Sequence, residues 1–465
     1  VRASSRWATV LIPALLLYFA PLPGLNPQQR HLLAVFIGTI IALVARPAPM
    51  GVSVLVAMTT LALTGTLPAA RTLSGFSNIT LWLIFSAFLF ARAVTETRLG
   101  LRVAYLFIEK FGHSALTLGY SIVATDLFLA MFIPSDTARG GGIVYPIVRS
   151  LAEVFESNPG PTARRIGSFL ILIGFHATYI GSAMFLTGMA ANPLIADFAL
   201  KIAHVELTWV RWALAASVPG LISLLVVPYL LYRLHPPEIR NTEAAREMAR
   251  KELATMGPMS RNESWLVAIL ALVMTGWVTS KWHGISNTFV ALTGLCLILL
   301  TKVISWDDLL SERRAWDALI WFAPLLMMAD NLQELGVIKV LSNSAFSGLR
   351  GLPWLAALGL LVLLYLYIHY AFASMTAHVT ALYSAFLTAA VATGAPALMA
   401  ALPLAFFSNL NAGITHYGTG SAPVYFGAGY VSQTDWWKLG FIVSLVNIAV
   451  WLGIGPVWWK LIGFY

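Results

Sequence analysis

Two short polar clusters interrupt long apolar stretches, and both carry the residue types that hold an anion. Ser135-Asp136-Thr137-Ala138 is followed by Arg139 and by Gly140-Gly141-Gly142; Ser374-Met375-Thr376-Ala377 is followed by His378. A helix that begins after such a break presents unpaired backbone N–H groups and about half a positive charge toward it. Serine and threonine hydroxyls add donors, and the glycines let a ligand approach the backbone. The combination suits a carboxylate. An ordinary N-cap beside a flexible turn would use the same residues, and recurrence of the cluster favours the ligand. Arg139 is a charge at apparent membrane depth, where it costs at least ~2.5 kcal/mol and faces a cavity or a partner. Two roles stand open for it: a structural pair with Asp136, three positions away, or completion of an anion site. His378 holds the matching place as a titratable group. His369 has no such match and reads as a core histidine, and Asp126 as a buried acid holding the approach to the first cluster in place.

The elements that must position these clusters follow from composition. The chain of 465 residues is 58% hydrophobic and 11% charged, with a mean hydropathy of +0.78. Soluble proteins carry about 25% charged residues, so this is an all-α integral membrane protein. The apolar runs are near twenty residues rather than the alternating ten of a barrel strand. Spans are expected near 7–22, 31–46, 49–66, 77–95, 166–192, 207–233, 263–281, 287–303, 316–340, 398–430 and 438–459, about eleven transmembrane helices. Trp7–Ala20 reads as a first span rather than a cleaved leader. Two further regions, 115–155 and 352–394, break at the polar clusters and are expected as re-entrant hairpins.

The net charge of +9 fits an excess of Lys and Arg on the cytoplasmic side better than a nucleic-acid partner. With the polar segment Arg233–Glu263 in the cytoplasm, the N-terminus lies inside and the C-terminus outside. Glu243–Glu252 reads as an amphipathic surface helix. The halves repeat: Leu99-Gly100 matches Leu335-Gly336, Ser135 matches Ser374, and Thr187-Gly188 matches Thr419-Gly420, at offsets of 236, 239 and 232 residues. Five spans separate the two clusters, so the second copy is inverted and the hairpins meet near the midplane.

After each hairpin a span is broken by polar residues, Gly and Pro. Thr178–Ser182 through Thr187-Gly188 to Asn192-Pro193 forms the first break, and Ser408-Asn409 through Asn411, Thr415-His416 and Gly418-Thr419-Gly420 to Pro423 the second. Freed amides and carbonyls in such helices face a ligand or an ion, which makes Thr187, Asn409, Asn411, His416 and Thr419 candidates. Ser286-Asn287-Thr288 and Ser77-Asn78-Ile79-Thr80 precede spans and read as plain N-caps. The single Cys296 excludes a disulfide framework and reads as a packed small hydrophobe.

On these motifs the chain resembles the divalent anion/sodium symporter family of carboxylate transporters. Pro134-Ser135-Asp136-Thr137-Ala138-Arg139-Gly140-Gly141-Gly142, Ala373-Ser374-Met375-Thr376-Ala377-His378 and Gly418-Thr419-Gly420 to Tyr430 are most similar to the bacterial citrate/succinate antiporters and plastid oxoglutarate/malate translocators. The likeness runs from Trp7 to Trp459. It implies a homodimer in a bacterial inner membrane, each protomer having a scaffold and an elevator-like transport domain. The scaffold would take 1–112 and 206–350, the transport domain 113–205 and 351–432, with a C-terminal helix in 433–465. The substrate would be a C4–C6 di- or tricarboxylate, bound by Ser135, Asp136, Thr137, Ser374, Thr376 and Thr419. Asp136 and Met375 stand where the family has amides. Met375 offers no oxygen to a hard cation, so no sodium site is expected at the second tip; sodium at the first stays open, and no other cofactor is expected. Asp136 is left to hold a cation, pair with Arg139 or take up a proton. Arg139, His378 and His416 would supply positive charge in place of sodium, which favours exchange over sodium- or proton-coupled symport. An embedded enzyme using Asp126, Asp136 and His416 would need a metal or nucleophile motif that the sequence lacks. A passive channel would conduct without saturating.

Overall fold

Without water, an apolar chain satisfies its backbone internally by forming helices. The computed structural model describes residues 2–349 and 351–465, with side chains described from Arg6 onward, and among them no strand forms. Each of the eleven expected stretches contains a helix, and among the described residues seven helices are long and apolar enough to cross a membrane, two of them, Trp354–Ala371 and Met375–Ala392, lying in the region 352–394 expected as a hairpin. Asn26, Ser286 and Asn78 cap the helices they precede, the last two as expected of plain caps. Cys296 is exposed on Asn287–Leu300 rather than packed. A small apolar side chain loses nothing by facing lipid, so burial was the wrong inference from hydrophobicity alone.

Both polar clusters sit at the tips of helical hairpins. The first enters as Ala115–Ala130, loses helical form through the tip and returns as a helix running from Thr137 to Val154. The second enters as Trp354–Ile368 and returns from Met375 to Ala392. Each return arm contains π-helical turns close to its tip, Thr137–Val144 in one and Val379–Tyr383 in the other. A π-turn frees carbonyls from the α-ladder. In the first hairpin the Tyr425 hydroxyl donates to the Gly140 carbonyl at 3.0 Å. Gly140 is required by close approach, because a Cβ there would lie 2.6 Å from the Thr178 hydroxyl oxygen.

The entry to each hairpin is also duplicated. Arg98 (φ 61°) and Gly336 (φ 75°) adopt the left-handed conformation, and each starts a short amphipathic helix, Leu99–Phe111 and Val337–Ala345. These turns lie 238 residues apart, which agrees with the tip offset better than the Leu-Gly pairing does. The surface helix Glu243–Met256 buries Ala245 and Ala249 and packs on Leu99–Phe111. The buried Arg102–Glu263 pair, at 2.6 Å, ties that short helix to Arg261–Val278.

The apolar interior divides in two. A large core surrounds the hairpins, Gly167–Met184 and Ala397–Leu410. A smaller one is built by Pro27–Ala45, Met50–Leu63 and one side of Arg313–Glu334. The tips of both hairpins lie at the seam between them.

Candidate functional site

The two tips share one local geometry. The Ala138 N–H donates to the Ser135 hydroxyl oxygen at 3.2 Å, and the Arg139 N–H to the Ser135 carbonyl at 2.8 Å. At the second tip the Ala377 N–H donates to the Ser374 hydroxyl oxygen at 3.3 Å, and the His378 N–H to the Ser374 carbonyl at 3.1 Å. Each serine thus caps its helix while keeping its own hydroxyl proton to donate, and the N–H groups of the first turn have no intrahelical acceptor. A cavity of about 250 Å³ lies between the tips. Ser135, Asp136, Thr137, Ser374, Met375, Thr376, Thr419 and Gly420 form one wall; Leu43, Arg46, Met50, Phe88, Trp321 and Leu325 form the other. It is small beside the ~300–1,000 Å³ of sites for drug-sized ligands. A wider cleft of about 950 Å³ passes Asp197, Arg211 and Lys281. It holds neither helix end nor any predicted site residue.

Asp136 faces this cavity and is not paired with Arg139. The Thr419 hydroxyl donates to its carboxylate, and the Ser421 hydroxyl lies 3.2 Å from the same oxygen. This clamps the first tip to the second broken helix. Gly420 permits it, since a Cβ there would strike the Thr137 hydroxyl.

Arg139 lies behind the tip, fully buried and outside the cavity. Its Nε donates to Asp126 at 3.1 Å, Nη1 to the carbonyls of Ile133 and Gly188 at 2.9 and 3.0 Å, and Nη2 to the Thr178 carbonyl and Ser182 hydroxyl at 2.8 and 2.7 Å. The expectation of an Asp136 pair or an anion contact is therefore corrected. The guanidinium satisfies carbonyls that the tip and first broken helix leave free, and Asp126 on the entering arm balances its charge, as expected of a buried acid holding that arm. The oxygens converging here are taken by the guanidinium. Of this set only Asp126 Oδ2 lacks a hydrogen-bond partner, too little for a hard cation that takes about six oxygens. The residues present do not fit sodium at this tip.

The other candidates from the broken helices also lie outside the cavity. The Thr187 hydroxyl donates to the Met131 carbonyl at 2.6 Å and accepts from the Trp209 indole at 3.1 Å. Asn192 donates to the carbonyls of Ser182 and Phe185, both at 2.9 Å, and accepts from Asn409 at 2.9 Å, so the two broken helices meet amide to amide. The Asn411 amide donates to His378 Nδ1 at 2.9 Å, and the buried imidazole packs 4.3 Å from the Tyr365 ring. His369 donates to the Gly418 carbonyl at 2.7 Å, a structural histidine as read. His416 accepts from the Trp437 indole at 3.2 Å and packs on Phe426, far from either tip in role. Of the twelve predicted residues, the cavity brings together Ser135, Asp136, Thr137, Ser374, Thr376 and Thr419. Arg46 on the far wall was missed; its signal was Arg46-Pro47 in a short break between two apolar runs.

A family model described as the sodium:sulfate symporter transmembrane region matches residues 2–465. The chain is 50% identical over 453 residues to a putative malate transporter of Bacillus subtilis (strain 168), spanning 97% of this chain and 95% of that one. It is 46% identical to the chloroplastic dicarboxylate transporter 1 of Arabidopsis thaliana, spanning 97% and 82%. It is 34% identical to an inner membrane protein of Escherichia coli (strain K12), spanning 98% of each. Among solved structures, the YdaH transporter of Alcanivorax borkumensis superposes with a TM-score of 0.57 at 15% identity, over 86% of this chain and 88% of that one. That last likeness is one of fold.

Proposed function

The chain belongs to the divalent anion/sodium symporter family, and from that premise we propose that it exchanges di- or tricarboxylates across an inner membrane without sodium. The observation that carries this is the pair of serine-capped helix starts facing one small cavity. Two such ends offer backbone N–H groups, hydroxyls and dipole charge to an anion with a carboxylate at each end. The names of the relatives, malate and dicarboxylate transporters, point to C4 acids. The guanidinium filling the oxygen cage behind the first tip supports sodium independence. A cavity at the seam of two apolar cores suits a transport body that slides along a scaffold and presents the tips to each face in turn. In this proposal the protein is a homodimer with its N-terminus in the cytoplasm.

The test is uptake of labelled succinate into proteoliposomes preloaded with succinate, citrate or nothing, with and without a sodium gradient. Uptake confined to loaded vesicles and indifferent to sodium is expected. Sodium-driven uptake into empty vesicles would overturn the proposal. Asp136, a cavity-facing carboxylate held by two hydroxyls, favours one alternative, proton-coupled symport. A pH gradient driving uptake into empty vesicles, lost in D136N, would select it.

A further inference from the structure

Among the described residues Arg46 is the only cationic one that lines the cavity, and it stands on the wall opposite the tips. It closes the helix Pro27–Ala45, and its backbone is left-handed (φ 48°, ψ 56°), with its N–H donating to the Ala42 carbonyl. Glycine is the natural residue at such a cap, and a side chain there costs roughly 1–2 kcal/mol. Pro47 follows it, which itself favours an extended Arg46, and the Arg6 guanidinium donates to the Arg46 carbonyl at 3.3 Å. The Arg46 side chain is exposed, and no carboxylate among the described residues pairs with it. It differs in this from Arg71, Arg92, Arg102 and Arg139, each of which has an acidic partner. A strained cap holding an unpaired cation over an anion-shaped cavity is backbone strain placed at a functional site.

Arg46 also sits beside a different apolar core from most of the hairpin residues. Its neighbour Leu43 is part of the smaller core, whereas the buried residues of the hairpin arms belong to the larger one, with Phe372, Ala381 and Ala385 packing against the smaller. Any displacement of one core past the other carries the tips away from Arg46 while their serines and threonines travel with them.

We propose that Arg46 is a specificity-determining residue. Its guanidinium pairs with a substrate carboxylate across the cavity, selects dianions over monoanions of the same length, and does so only while the tips stand beside it. This rests on the carboxylate transport proposed above. Substrate affinity is then asymmetric, tighter from the face to which the cavity opens in this conformation.

The experiment is exchange by the full-length protein in proteoliposomes with R46G, R46Q and R46K, using succinate and its monomethyl ester as paired probes. R46G removes the charge and relieves the backbone, so it keeps a folded variant in the set even if R46Q does not fold. Half-saturation for succinate is expected to rise about tenfold in R46G and R46Q, one charge-assisted contact or ~1.4 kcal/mol. The monomethyl ester should shift less than twofold, and R46K should recover most of the succinate affinity. The succinate effect should be larger from one face of oriented vesicles than from the other. Equal shifts for both probes, or none in a folded R46G, would overturn the inference. If the parent protein exchanges no carboxylate at all, the function proposed above fails instead.

Discussion

Replacing Arg139 by lysine separates a lock from a substrate-binding cation. The guanidinium makes five hydrogen bonds to Asp126, Ile133, Gly188, Thr178 and Ser182, and none of its surface is exposed. Lysine keeps the charge but has three donors, so at least two of these buried acceptors lose their partner. Each unmet buried acceptor costs about 1–3 kcal/mol, giving roughly 2–6 kcal/mol for R139K. At about 2 °C per kcal/mol for a large chain, the apparent Tm in detergent should fall by roughly 4–12 °C. R139A should be worse than R139K, since it strands the buried Asp126 carboxylate without a counter-charge. Intrinsic tryptophan fluorescence during heating reads the transition, and succinate exchange in the folded fraction reads function. An R139K protein with parental Tm but a greatly raised half-saturation would refute the argument, because it would mean that the guanidinium touches substrate.

Three further outcomes follow from the geometry. G140A should express poorly or lose several degrees of Tm, because the new methyl group meets Thr178, whereas G142A, with nothing within 4 Å, should behave as the parent in the same melt. S135A and S374A should each raise half-saturation for succinate by about three- to tenfold and by similar factors, since the two serines cap their helices alike; effects differing by more than tenfold would contradict the equivalence of the tips. His235, at the end of Trp209–Leu234, accepts or donates at 3.1 Å to Ser168, and burial, with Arg164 nearby, pushes its pKa down to about 4. Between about pH 6.5 and 4 the unfolded chain therefore binds a proton that the folded chain refuses, so stability is present above this window and is lost as pH falls through it. Apparent Tm should be lower at pH 5 than at pH 7.5, and H235Q should reduce that difference.

The tips were legible because capping is local: a serine, a threonine two residues on and an apolar helix behind them specify where N–H groups point. The partners of Arg139 were not. Asp126 precedes it by thirteen residues, Thr178 and Ser182 lie on another helix, and Gly188 lies in the break that follows that helix. Only closure of the hairpin onto Gly167–Met184 brings them together, while Asp136, the nearer acid in sequence, sits on the cavity side. Three-residue spacing brings side chains together on an α-helix, and the stretch that starts at Thr137 is π-helical instead. The π-turns likewise left no sequence signal beyond the three glycines.

The polar residues of the broken helices divide by what they satisfy. A break in a buried helix creates unpaired carbonyls whether or not a ligand is nearby, and these must be met first. Thr187, Asn192, Arg139 and His369 meet such carbonyls, on Met131, Ser182 and Phe185, Thr178 and Gly188, and Gly418 respectively. Once these are spent inside the protein, the donors left for an anion are the hydroxyls and first-turn N–H groups of the two tips. The polar groups behind the tips thus set the position of the helix ends, and the ends face the cavity. An anion held chiefly by backbone dipoles is gripped the same way whatever its charge beyond each carboxylate. In the proposed binding mode, discrimination by total charge falls to the charged side chains of the cavity, Asp136 beside the tips and Arg46 across from them.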